Sequence, residues 1–234
     1  MLYLIQEAQR QGNGPMIRFD SIRQYLETFK LDNKGRNYKE AVERFKRIFY
    51  STWFWEDNRE GGGQSAVAFR IIDAWNVFFD VENKSSNPLF DSFIELSTRF
   101  WEILRAHPIP YRLEAVIQIK DKPAVLALYL FLVYRTWQNW HSKAGKEFLP
   151  FFGPNGLQKQ LSSDIASTRH FREKMRGWIE EIQSIWSECP VHLERETDRR
   201  LTLGKGRKAK LFQDGLFVEV KSIDQLHVGP HWPK

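Results

Sequence analysis

The 234-residue chain has a single cysteine, Cys189. One thiol excludes an internal disulfide and any zinc site built on paired thiolates, and a reducing, cytoplasmic setting is the expectation that follows. Lying between Trp186 and Pro190 at a helix end, Cys189 reads as a small buried thiol. No run approaches the roughly 18 apolar residues of a membrane span, and the opening Met1-Leu2-Tyr3-Leu4-Ile5 lacks the basic flank of a signal peptide. The six histidines show neither metal-ligand spacing nor a His-x-His pattern. His227 and His231 are the nearest pair, and no helical pattern supports them. Gly61-Gly62-Gly63 lacks the Lys-Ser/Thr ending of a phosphate loop, and no Gly-x-Ser-x-Gly elbow occurs. Glu180 and Glu181 are adjacent and point to different helix faces, which suits them poorly to paired acid and base work. A non-catalytic chain without metal or cofactor is the expectation.

What is present is positive charge and large rings. Lys and Arg number 35 against 29 Asp and Glu, a net charge of +6, and the isoelectric point is near 9.4. The excess is clustered, which favours an anionic partner. Apolar residues make up 42%, with nine Trp and eighteen Phe. That is enough for real cores, filled by large rings.

The most informative stretch comes late. Phe171, Met175, Trp178, Ile182 and Ile185 recur at steps of four and three and predict one buried helix face. Arg169, Arg172 and Arg176 share the spacing about a third of a turn away. Ser167 or Thr168 can cap the helix, leaving its positive end available to a phosphate. Val191 to Glu194 and Leu216 to Val220 alternate like strands. Between them, Arg199, Arg200, Lys205, Arg207, Lys208 and Lys210 form an acid-free basic run with two glycines. Helix, strand, basic loop, strand is the order of a winged helix, whose wing contacts phosphate or the minor groove. An arginine stripe alone is more often a solvated face; the adjoining run of like charge tips the reading to nucleic acid.

In chain order, helices are expected from Leu2 through Ala8 to a stop near Gly12-Asn13-Gly14-Pro15, over Phe19 to Phe29 after a cap at Asp20 or Ser21, and over Tyr38 to Phe49. Thr52 to Trp55 and Ala66 to Ile72 read as strands flanking a glycine turn. The first third therefore repeats the helix, helix, hairpin order of the last. A domain boundary is expected in the solvated loop Asn83 to Pro88. Then come a short strand at Ile94 to Ser97, helices at Phe100 to Ala106 and Leu113 to Ile119, and an apolar helix, Ala124 to Trp140, opened by Pro123. Phe148 to Gly153 leads to a brief helix with Leu157 and Leu161, where Lys159 would stand near a duplex backbone. The fold expected is α+β, mostly helical: two winged helix-turn-helix units in tandem, residues 1–84 and 85–222, with a weakly ordered tail at 223–234.

Three segments carry a family resemblance: Phe93-Ile94-Glu95-Leu96-Ser97-Thr98-Arg99-Phe100-Trp101, His107-Pro108-Ile109-Pro110, and the helix from Lys122 to Arg135 with its Tyr129-x-x-x-x-Tyr134-Arg135 ending. Together they resemble the RepA-type plasmid replication initiators, most specifically in the Pro-x-Pro and that apolar helix. The resemblance extends faintly over residues 16 to 222. Members are tandem winged-helix proteins that bind repeated DNA sites at a plasmid origin, which implies duplex DNA as partner and a bacterial or plasmid-encoded source. It makes Thr168 to Ile182 the second recognition helix, Arg199 to Lys210 its wing, and Asn37 to Tyr50 the first recognition helix. Arg36, Lys39, Lys46 and Arg59 are the candidate DNA contacts in the first unit. The chain departs from the pattern at Ala127, where the family usually has Asp, and in a shortened amino-terminal arm. A sequence-selective duplex binder of initiator type is expected, alone or as a dimer. The alternatives are a motif-reading subunit of a larger nucleoprotein complex, such as an RNA-guided effector with RNA and partner chains, and a protein-interaction module presenting Trp53, Trp55 and Trp75.

Overall fold

The computed structural model describes residues 1–12, 14–19, 21–32, 34–57, 65–77, 92–106, 110–143, 145–161, 164–193 and 214–227, apart from the side chains of 55–57 and 65. The chain is α+β and divides into two compact units, Met1–Pro108 and Ile109–Lys234.

The first unit opens with α1 (Leu2–Gln11), which stops where Gly12 takes φ 65 and returns its N–H to the Ala8 carbonyl. Only glycine adopts that conformation without strain. β1 (Met16–Arg18) follows, then α2 (Ile22–Thr28), capped by Ser21, whose hydroxyl accepts from Gln24 N–H. Phe19, expected inside this helix, precedes it and is buried. α3 (Gly35–Phe49) buries Ala41, Val42, Phe45 and Phe49. Large rings fill the space: Tyr25 and Phe19 each lie 5.1 Å from Phe45, and Phe49 stacks on Trp75 at 4.9 Å.

After α3 the chain forms an antiparallel hairpin, β2 (Thr52–Asp57) with β3 (Ser65–Arg70). The strand expected over Ala66 to Ile72 breaks at buried Ile71, and β4 (Ile72–Asn76) pairs instead with β5 (Phe93–Leu96). The sheet order is β1-β5-β4, so the last strand is the middle one. That places the division of the chain after β5 and α4 (Thr98–Ala106), later than the expected boundary near residue 84: β5 is hydrogen-bonded on both edges to strands of the first unit.

The second unit contains α5 (Leu113–Ile119), α6 (Pro123–Ser142), β6 (Lys146–Pro150), α7 (Leu157–Gln160), α8 (Thr168–Ile185), β7 (Val191–Leu193) and β8 (Gly215–Glu219). α6 begins on Pro123 and ends at Lys143 in the left-handed region. It packs on α5, α8 and β8, burying Leu128, Tyr129, Leu132 and Val133. β6 was not expected as a strand. Its sheet has the order β6-β8-β7, again with the last strand central. On α8 the buried row is Phe171, Met175, Ile179, Ile182 and, just past its end, Trp186; Trp178 and Ile185, expected in the core, are half-buried.

The tail begins ordered. A 3-10 turn at Ile223–Gln225 closes a capping box with Ser222, and Leu226 and His227 are buried. His227 stacks on Trp186 with centroids 5.0 Å apart. The Tyr129 hydroxyl accepts from Arg112 N–H at 3.2 Å and is hydrogen-bonded to His227 Nδ1 at 2.9 Å. Burial, with the Arg112 charge nearby, lowers the His227 pKa to about 4. Setting aside the β2–β3 hairpin, α4 and α5, both units follow one order of elements: helix, strand, two helices, strand, and a final strand inserted in the middle of the sheet.

Candidate nucleic-acid interface

In the second unit the exposed side of α8 is positioned from three directions. Ser167 caps the helix, its hydroxyl accepting from His170 N–H at 3.3 Å. Gln158 on α7 donates to the Ile165 carbonyl at 2.6 Å, tying the brief helix to the approach of the long one. The buried row then turns Arg169, Arg172, Lys174 and Arg176 to solvent.

These cations differ in how they are held. Arg172 donates to Asp214 Oδ2 from Nε at 2.7 Å and approaches it from Nη2 at 2.5 Å. Its guanidinium also lies 5.4 Å from the centre of the Phe152 ring. Asp214 directly precedes β8, so this arginine fastens α8 to the start of the central strand. Arg169 pairs with Glu173 at 3.1 Å, with 87% and 56% of the two side chains exposed. So exposed a pair contributes little and yields readily to a phosphate. Arg176, Lys174 and Lys159 are exposed and have no partner among the described residues.

The expected wing, Arg199, Arg200, Lys205, Arg207, Lys208 and Lys210, lies outside the described residues, as does Arg59. Its two ends are described. β7 pairs with β8 through Leu193 and Leu216, so residues 194–213 join neighbouring strands, and the Arg172–Asp214 pair adjoins one end.

In the first unit α3 carries the corresponding charges. Glu40 bridges Arg36 at 3.2 Å and Arg44 at 3.5 Å, while Lys46 pairs with Glu43 at 3.2 Å. Lys39 and Arg47 are exposed without a partner among the described residues. Every α3 cation thus lies on the exposed side or its margin, since Ala41, Val42, Phe45 and Phe49 take the other.

The sequence identified the cationic helices and missed what restrains them. Asp214 is the main omission, because its pairing with Arg172 joins residues distant in the chain. Arg47 and Lys174 join the sequence-predicted cations on these exposed faces, a position their charge and helical spacing make visible. Among the described residues no cluster of His, Cys, Asp and Glu is fit to hold a metal ion, and no helix is long and apolar enough to cross a membrane. His227 serves the core; His231 lies outside the described residues. The half-buried Cys189 thiol is pushed up to about 12 by burial, which keeps it from acting as a thiolate.

The family model for the plasmid-encoded RepA protein, RepA_C, matches residues 28–150, from the end of α2 to the end of β6. The chain belongs to the plasmid-encoded RepA protein family. The family region therefore includes α3 and α6 and stops before α8. One solved structure similar to this family member is that of domains 2 and 3 of RctB, at 12% identity and a TM-score of 0.48, covering 92% of this chain and 76% of that one. No curated protein matches it.

Proposed function

We propose that this RepA-family chain is a non-catalytic, sequence-selective duplex-DNA-binding protein of the replication-initiator type, and that each unit is a winged helix with α3 and α8 as the recognition helices. The observation that carries the reading is the shared order of elements: in each unit a strand precedes two helices, and the closing pair of strands inserts its second member at the centre of the sheet. In that arrangement the third helix presents its exposed face to the major groove and the loop between the last two strands reaches a flanking groove or backbone. On α3 and α8, Arg36, Arg44 and Arg169 are held only by exposed pairs, and Lys39, Arg47, Lys174 and Arg176 by none among the described residues, as a surface that exchanges solvent for phosphate requires.

Roles follow from the restraints. Arg169 and Arg176 would probe the groove from α8, with Lys159 at the backbone. Arg172 would orient the helix through Asp214, and Lys39 and Arg47 would meet DNA from α3. The basic run from Arg199 to Lys210 would hold phosphates. Neutralising six phosphates gives a slope of about −5 in log K against log salt. A salt titration by fluorescence anisotropy on duplex DNA, with one round of selection from a random duplex library, tests both parts. A slope near zero removes DNA binding; a steep slope without enrichment of any sequence removes selectivity.

A further inference from the structure

The β2–β3 hairpin stands outside the shared order of the two units, inserted between α3 and β4. Its two strands pair only with each other among the described residues. Six large apolar side chains are exposed among those residues, and three of them, Tyr50, Trp53 and Phe54, fall within five positions at its start. Such concentration marks a contact surface rather than ordinary scatter.

Alternation along the strands puts Phe54 on one face with Thr52, Ala66, Ala68 and Arg70, all exposed. Phe54 is 77% exposed, and Arg70 is its diagonal cross-strand neighbour. The opposite face carries Trp53, 48% exposed, directly across from Phe69. Phe69 stacks on Phe100, and the Arg99 guanidinium sits 5.9 Å from its centre. Each face therefore couples a flat ring to a guanidinium.

We infer that this hairpin binds single-stranded DNA, its exposed rings stacking on unpaired bases while Arg70 and Arg99 meet the adjoining phosphates. Ring plus cation is the pair that a nucleotide complements, and stacking on aromatic side chains is indifferent to base identity. Size favours a strand over a protein. Six residues by two strands is about 20 Å by 10 Å, roughly 200 Å², against about 800 Å² per partner in a stable protein interface. Position agrees: β2 starts three residues after α3 ends, so the ribbon adjoins the carboxyl end of the helix proposed to read the duplex. The inference rests on the DNA-binding reading above and adds a second form of DNA to it.

The test measures full-length protein against a short fluorescent oligothymidylate and against a mixed-sequence duplex, over one common series of salt concentrations, with sedimentation of each variant in parallel. Phe54→Ala should weaken oligothymidylate binding by about 5- to 150-fold, the loss of one stacked base, and leave duplex affinity within about twofold. Phe54→Trp should restore it, and Arg70→Ala should weaken it and flatten its salt dependence. Wild-type protein that binds duplex but not oligothymidylate overturns the inference and leaves the duplex reading intact. Unchanged oligothymidylate binding by Phe54→Ala also overturns it, and a simultaneous fall from dimer to monomer would make the hairpin a protein contact. Protein that binds neither DNA withdraws both proposals.

Discussion

Acid should loosen the second unit through His227. The folded chain holds this imidazole neutral, hydrogen-bonded to the Tyr129 hydroxyl and stacked on Trp186, with its pKa lowered to about 4 from an ordinary 6.5. Between those values the unfolded chain binds the extra proton and the folded chain does not, so stability rises with pH across the window. The contribution is complete above about pH 6.5 and is lost as pH falls towards 4. A shift of about 2.5 units corresponds to roughly 3 kcal/mol, of which about 2.5 kcal/mol is gone by pH 4.5. Other groups titrate in the same range, so the useful quantity is a difference. Wild type and His227→Gln are compared by thermal unfolding at pH 7.5 and 4.5; glutamine keeps an acceptor for Tyr129 and does not titrate. The advantage of wild type at pH 7.5 should shrink by about 2.5 kcal/mol at pH 4.5, on the order of 10 °C in Tm. A gap between the two proteins that does not change with pH would refute the argument that burial keeps His227 neutral.

Two glycines give opposite expectations. A Cβ on Gly156 would lie 2.5 Å from the Phe152 carbonyl carbon and 2.7 Å from the Phe151 oxygen, both backbone, although its φ of −77 suits any residue. Gly156→Ala should therefore cost about 1–3 kcal/mol through overpacking, read as a lower urea midpoint with an unchanged slope. Gly177 lies inside α8 with nothing within 4 Å of the same added atom. Gly177→Ala should raise stability by about 0.5–1 kcal/mol, the helix-propensity difference, and a drop in the midpoint would show that its backbone is constrained by something other than propensity.

Helices were legible because their signals are local. The Pro123 start of α6, the Gly12 stop of α1 and the limits of α5 follow from periodicity and caps, and the structure has each. On α8 the steps 171, 175, 178, 182, 185 and 171, 175, 179, 182, 186 fit the period equally well, and only packing selects the second. β6 gives little strand signal because Lys146-Glu147-Phe148-Leu149-Pro150 lacks β-branched residues and ends in proline. Pro150 is tolerated because β6 is an edge strand. The tail carries a local signal, since Ser222-x-x-Gln225 has the spacing of a capping box, and the structure forms it.

Long-range pairing was the part no local rule could supply. Thr52 to Trp55 and Ala66 to Ile72 are expected as a hairpin, and β2 and β3 form one as far as Arg70; the expectation that they close the first unit fails at buried Ile71, after which a new strand starts. β4 then pairs with β5, on the far side of residues 78–91, while β1 flanks β5 on its other edge. The likeness between the two units therefore lies in strand order, which side-chain patterns do not encode, rather than in residue identity. The proposed DNA interface divides in the same way. A cationic helix face is a local pattern and was read correctly as exposed, whereas the Arg172–Asp214 pair, joining α8 to the start of β8, exists only once the sheet has formed.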